Sequence, residues 1–138
     1  MKYDVVQKSL EIYVKDHWSH TAIQYDNVAF NSDLYEEFIQ CTIVFGEGRS
    51  RTITVGCYRQ VGLLILTVKT RPGTGSSRKL ELAKLAAEMV ISKVVQPIAP
   101  DLVPAVNLKV PDLFSDNTER NGWVMAQVSC PFYYDLEI

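Results

Sequence analysis

At 138 residues with 22% charged residues and a formal net charge of −2, the chain has the size of one domain and can bury roughly two thirds of its unfolded surface without staples. It lacks the basic excess that phosphate neutralisation requires, so no specific nucleic-acid binding is expected. Its apolar runs fall far short of the roughly 20 residues that span a bilayer, and Met1 to Asp16 carry charges where a signal peptide would be apolar, so no membrane partner is expected and the chain is placed in the cytoplasm.

Residues 2–17 read as an amphipathic helix, because Tyr3, Val6, Leu10, Tyr13 and His17 recur at spacings of three and four. His17 and His20 flank Trp18 without the acid pattern of a metal-binding motif, so they read as helix-end and loop residues. Between Ser19 and Leu34 the composition turns polar, which predicts a loop with a short strand around Ile23 to Tyr25 and a candidate contact arm. From Glu36 to Phe45 alternation predicts a half-buried strand, with Ile39, Cys41, Ile43 and Phe45 on one side and Phe38, Gln40, Thr42 and Val44 on the other. Gly46 to Arg49 reads as a hairpin tip, Thr52 to Val55 as the return strand, and Tyr58 to Gln60 as a break into the next strand, giving a three-stranded meander.

The run from Leu63 to Val68 is apolar on both alternating faces except for Thr67, the pattern of a central strand covered on both sides. Pro72, Gly73 and Gly75 end it in a turn. The long helix predicted next carries polar residues at 77, 81, 84, 88, 92 and 96 in one narrow stripe. Leu82, Ala83, Leu85, Ala86, Ala87, Met89, Val90, Ile91, Val94 and Val95 then cover more than the roughly 100° a sheet-facing helix needs, which predicts a second packing partner. Glu81, Lys84 and Glu88 are spaced as an ordinary solvated ion-pair stripe, and Arg78 and Lys79 read as solvated in the first turn.

Pro97, Pro100, Pro104 and Pro111 punctuate a connector with room for a short strand at Asn107 to Val110. Asp112 to Gly122 is polar and reads as an exposed loop. A last strand follows, with Val124, Ala126, Val128, Cys130 and Phe132 pointing inward in the same sheet as the central strand, and Trp123, Met125, Gln127 and Ser129 outward. An outward Trp123 and Met125 predict a contact surface. Together these elements predict an α+β fold: a single domain over residues 1–138 with a mixed or antiparallel β-sheet, an N-terminal helix and one main helix packed on it.

Arg71 to Lys79 is the candidate for chemistry, since a glycine turn at a helix N-terminus can hold phosphate. The Lys-Ser/Thr of a Walker loop and the third glycine of a dinucleotide fingerprint are both missing, so a turn with a Ser76 or Ser77 cap is expected and no nucleotide. Cys41, Cys57 and Cys130 form no CxxC pair, and Cys41 and Cys130 belong to apolar strand faces. A nucleophile built from Cys57 with His17 or His20 is not excluded by spacing alone. Arg59, between Gly56 and Gly62, reads as an anion ligand or, with more weight, as a structural charge at a turn or subunit contact.

Trp18 with Thr21 and Asn27 after an N-terminal helix, then Gly56, Arg59 and Gly62 entering an apolar strand, Pro72, Gly73 and Gly75 before a long helix, and a closing strand with Pro131-Phe132 form a pattern over nearly the whole chain. It resembles the tail terminator, or minor tail, proteins of long-tailed bacteriophages. The resemblance implies a small α+β domain that forms a hexameric ring, caps the tail tube, stops its polymerisation and supplies the head-joining surface in the virion. The implied partners are other copies of the chain, the tail tube protein and a head-completion or connector protein. It implies no catalytic residue, no cofactor and no metal; Arg59, Arg71, Trp123 and Met125 are the candidate subunit or tube contacts. Lys69 and Thr70 depart from the more apolar strand end the pattern leads one to expect. A different neck or head-completion protein, and a small cytoplasmic enzyme or nucleotide-binding domain using the 71–79 turn, are the alternatives.

Overall fold

The computed structural model describes residues 3–26, 28–46, 49–50, 57–73, 76–100 and 103–137. In chain order they form α1 (Tyr3–His17), β1 (Ala22–Tyr25), a 3-10 turn (Ser32–Leu34), β2 (Glu37–Phe45), β3 (Arg49–Ser50), β4 (Cys57–Thr70), α2 (Ser76–Val90), β5 (Val94–Val95), β6 (Val106–Leu108), β7 (Asp112–Arg120) and β8 (Trp123–Glu137). The strands make one eight-stranded sheet in the order β1-β2-β4-β8-β6-β5, with β3 on β4 and β7 on β8. All pairings are antiparallel except β1 with β2. This is the α+β fold expected, and β8 pairs with β4 over its whole length, from Cys57↔Glu137 to Thr70↔Val124.

One face of the sheet carries the core. Ile39, Cys41 and Ile43 of β2, Leu64, Leu66 and Val68 of β4, and Ala126, Val128, Cys130 and Phe132 of β8 stand in register and pack with Val6, Leu10 and Val14 of α1 and Leu82, Ala83, Ala86 and Val90 of α2. Both helices therefore lie on the same side. They also touch each other, where the Tyr13 hydroxyl donates to the Met89 carbonyl at 2.7 Å, so the second partner expected for α2 is α1. On α1 the buried line runs through Val6, Leu10 and Val14, while Tyr3 and His17 are exposed.

Several expectations need correction. The strand β4 begins at Cys57, so no break occurs at Tyr58 to Gln60, and β2 adjoins β4 directly instead of through a return strand. The expected strand at 52–55 lies outside the described residues, as do Glu47 and Gly48 of the hairpin tip. The α2 helix stops at Val90: Ser92 takes a left-handed φ of 51° and its N–H turns to the Lys109 carbonyl at 3.2 Å. Val94 and Val95 then join the sheet, as β-branched residues favour. Three apolar residues counted toward the helix, Ile91, Val94 and Val95, thus lie beyond it, and the apolar surplus shrinks. Glu81 pairs with Arg78 at 3.3 Å, not with Lys84, whereas Lys84 and Glu88 meet at 3.9 Å as expected.

The largest departure is the polar stretch 112–122, which is a strand and turn instead of a loop. Asn121 and Gly122 have φ of 53° and 83°, the two left-handed positions of a type I′ turn, and Arg120 faces Trp123 across it. The turn's twist matches that of two antiparallel strands, so it folds β7 back along β8 from Ser129 to Met125. Lys79, expected in solvent, is fully buried and donates to the Asp116 carbonyl at 2.9 Å, tying α2 to this hairpin.

Candidate functional site

Strand side chains alternate, so burying even-numbered residues of β4 and β8 turns the odd ones to the other face. That outer face carries Val61, Leu63, Ile65 and Thr67 of β4, with Gln40, Thr42 and Val44 of β2 on one side and Gln127, Ser129 and Pro131 of β8 on the other. Phe114 of β7 extends the row beyond Gln127. No described helix packs over these residues; Val44 is 45% exposed, Leu63 37% and Phe114 60%. The expectation of a strand covered on both sides is therefore corrected: its second face is apolar but open among the described residues. An open antiparallel face ordinarily alternates to polar and charged residues. Here the central rows of β2, β4 and β8 hold none with a formal charge, and the one carboxylate level with them on the flanking strand is Asp112 of β7, beside Ser129.

The charges sit at the two ends of this face. At one end Arg59 makes a two-point ion pair with Asp135, at 2.9 and 3.1 Å, and its guanidinium lies 3.9 Å over the Tyr133 ring. Arg59 is thus a charge paired with a cross-strand neighbour inside the chain, on strand β4 and not at the turn expected for it. At the other end Arg71 lies 3.8 Å over the Trp123 ring and reaches the carbonyls of Ser32 and Tyr35, each at 3.4 Å. Phe38 meets Trp123 edge-on at 4.9 Å, and Phe30 covers Phe38 at 4.9 Å. Trp123 is consequently only 7% exposed. It points outward as the alternation predicts, yet it is not exposed as expected, because Arg71 lies over its ring and Phe38, itself backed by Phe30, packs edge-on against it. Met125 beside it is half-buried.

All four candidate residues, Arg59, Arg71, Trp123 and Met125, thus share one face, but Arg59 is separated from the other three by roughly 33–40 Å of strand. They form no single site. Between them lies the open apolar surface, whose signal in the sequence is the alternation that puts Val44, Leu63 and Phe114 on one side of their strands.

Residues 74 and 75 lie outside the described set, and α2 begins at Ser76, so Ser76 and Ser77 stand within its first turn and the expected cap at either is corrected. Arg78 is taken up by Glu37, at 2.7 and 2.9 Å, and this partner holds the Glu37 carboxyl below its ordinary value. Cys41 and Cys130 are buried free thiols, pushed up to about 12 and about 11 by desolvation, as inert apolar-face cysteines should be. His17 stacks on Tyr13 at the end of α1. Among the described residues no cluster of His, Cys, Asp and Glu could hold a metal ion.

No protein-family model and no curated protein matches the chain. One solved structure superimposes on 98% of this chain and 93% of its own length, with a TM-score of 0.64 at 16% identity. At that identity the likeness shows a shared fold.

Proposed function

We propose that the chain is a tail terminator subunit of a long-tailed bacteriophage, made in the host cytoplasm and acting in the virion. Six copies close into a ring at the head-proximal end of the tail tube, stop its polymerisation and offer the surface to which the head-completion protein joins. The resemblance supplies this reading. The observation that supports it is the open outer sheet face, whose central rows run Val44, Leu63 and Pro131, then Thr42, Ile65 and Ser129 with Asp112 at the β7 edge, then Gln40, Thr67, Gln127 and Phe114. Interface centres are depleted of charge and rich in apolar and aromatic groups, and exposed apolar patches on such proteins mark contact sites. A protein that works through such a face needs no cofactor. The nucleotide alternative has less support, because Arg78 is engaged by Glu37 and Lys79 by the Asp116 carbonyl.

Light scattering of the purified protein over a wide concentration range, repeated after adding assembled tail tubes, tests the proposal. The expected result is ring-sized mass at high concentration, or capture at tube ends with shortened tubes. Val44→Lys and Phe114→Lys, at positions 45% and 60% exposed, should melt close to the parent yet lose that behaviour. A strict monomer that neither binds tubes nor limits their length refutes the proposal.

A further inference from the structure

Where β5 and β6 meet β8, a shallow cleft of about 530 Å³ is lined by Lys93, Val94, Asn107, Lys109, Pro131 and Tyr133, among others, with no carboxylate in its lining. Lys109 Nζ lies 5.4 Å over the Tyr133 ring, and among the described residues neither Lys93 nor Lys109 has an ion-pair partner. Val94 is 53% exposed. The cleft is thus cationic with apolar walls, and β5 is the outermost strand on that side of the sheet.

A segment of opposite character stands at the other end of the molecule. Residues Asp33, Leu34, Tyr35 and Glu36 are all exposed, and Leu34, at 73%, is the most exposed large apolar side chain described. Neither Asp33 nor Glu36 has an ion-pair partner among the described residues. The segment is held in shape. Asn31 Oδ1 accepts from the Asp33 N–H at 3.2 Å, Arg71 binds the Ser32 and Tyr35 carbonyls, and Tyr35 stacks on Phe30 with ring centroids 5.0 Å apart. A preformed segment loses little entropy on docking.

We infer that the Asp33–Glu36 segment of one copy docks into the Lys93–Lys109 cleft of the next, with Leu34 against the apolar walls and the two carboxylates facing the two ammonium groups. The segment leads into Glu37, which sits opposite Thr70 and hence level with Val124, while the cleft adjoins Tyr133. Nine strand residues, about 30 Å, separate them along β8, and they lie on opposite flanks of the sheet, so a chain cannot fill its own cleft. The contact joins two different patches, and such head-to-tail contacts repeat into a ring when the rotation closes. The inference rests on the ring proposed above and names the surfaces that would build it.

The test uses full-length protein carrying Lys93→Glu with Lys109→Glu, or Asp33→Lys with Glu36→Lys, or Leu34→Ser, each checked for an unchanged melt. Self-association by sedimentation equilibrium and capture at tail-tube ends are the readouts. Each charge-reversed set should weaken assembly at least about tenfold, as like-charge juxtaposition requires, Leu34→Ser should weaken it by removing the apolar anchor, and the cleft-reversed and segment-reversed sets combined in one chain should recover most of the loss. If the parent assembles and the reversals leave its constant unchanged, or if the combined chain stays as weak as either set, the docking assignment is wrong while the ring stands. If the parent neither self-associates nor caps tubes, the ring fails and takes this contact with it.

Discussion

Substituting Gly62 by alanine tests the register at the centre of the sheet. Gly62 faces Phe45 of β2 and Phe132 of β8, and a Cβ there would stand 2.5 Å from Phe132 Cζ and 2.5 Å from the Val44 carbonyl oxygen. Non-bonded carbon contacts settle near 3.5 to 4.0 Å, so the methyl overlaps by about 1 Å on two sides. The carbonyl belongs to the β2 backbone and can retreat only by loosening the ladder, at about 0.5–1.5 kcal/mol per bond. The ring can retreat only by disturbing its edge-on packing with Phe45 at 5.9 Å. Overpacking of this kind costs about 1–3 kcal/mol. With both sides blocked we expect the upper end, less a few tenths regained because alanine restricts the unfolded chain. At about 3–4 °C per kcal/mol for a chain of this size, Gly62→Ala should melt roughly 8–10 °C below the parent. Adding Phe132→Leu, which removes Cζ, should cost less in this background than in the parent, a non-additivity that urea titrations of all four proteins would read. A Gly62→Ala protein within about 0.5 kcal/mol of the parent would mean that Gly62 does not face Phe132.

Val128 is fully buried opposite Leu66, so Val128→Asp should yield no soluble folded protein, an unpaired buried charge costing several kcal/mol of the roughly 5–15 available; a cooperative melt of this variant would contradict the face assignment. The Glu37 carboxyl is held below its ordinary value of 4.5 by its hydrogen bond to Arg78, so its contribution is present above that value and vanishes as pH falls through the depressed one. Glu37→Gln should therefore lose about 1 kcal/mol or less at neutral pH and nothing in strong acid; a gap that persists or widens toward acid refutes this. Gln60 is fully buried, and its side-chain amide finds no hydrogen-bond partner among the described residues, so Gln60→Met should stabilise the fold by about 1–2 kcal/mol in urea titration. Loss of stability would show instead that the amide is satisfied.

Much of the fold was legible because burial and strand period coincide. Apart from Phe38 and Trp123, the buried residues of β2, β4 and β8 are those that alternation selects, and β1 sits where Ile23 to Tyr25 suggested. The end of α2 was not legible, since polar residues at 92 and 96 keep a helical spacing; what stops the helix is a backbone hydrogen bond to Lys109, formed only once β6 is in place. The β7–β8 hairpin has a local signal that competes with the polarity of its strand. Asn121-Gly122 is the strongest short hairpin signal, but the polar run before it, with Asp116, Glu119 and Arg120, carries no apolar alternation because β7 flanks the sheet. At the candidate site, alternation gave the right side for Trp123 and the wrong exposure. Its cover comes from Arg71 and from Phe38, which Phe30 in turn covers, and no pattern local to β8 reports them.

Three residues of the pattern that carries the resemblance, Trp18, Gly62 and Arg59, each meet a specific partner in the fold. The Trp18 indole donates to the Thr21 hydroxyl at 2.9 Å and its ring is buried; Gly62 makes room for Phe132; Arg59 binds Asp135 across β4 and β8. Trp18 and Gly62 answer to packing, which fixes their identity tightly, since a methyl at Gly62 presses on both neighbouring strands, whereas the exposed Arg59–Asp135 pair contributes about 1 kcal/mol or less. The surfaces proposed to do the work answer to looser demands. Val44, Leu63 and Phe114, or Leu34 and Lys93, are exposed and could be exchanged for residues of like character without cost to folding. A pattern of fold residues can therefore be recognised at low identity while the contacts that give it a function leave little trace in the same comparison. For that reason the decisive experiments are those that change exposed residues while the melting temperature holds still.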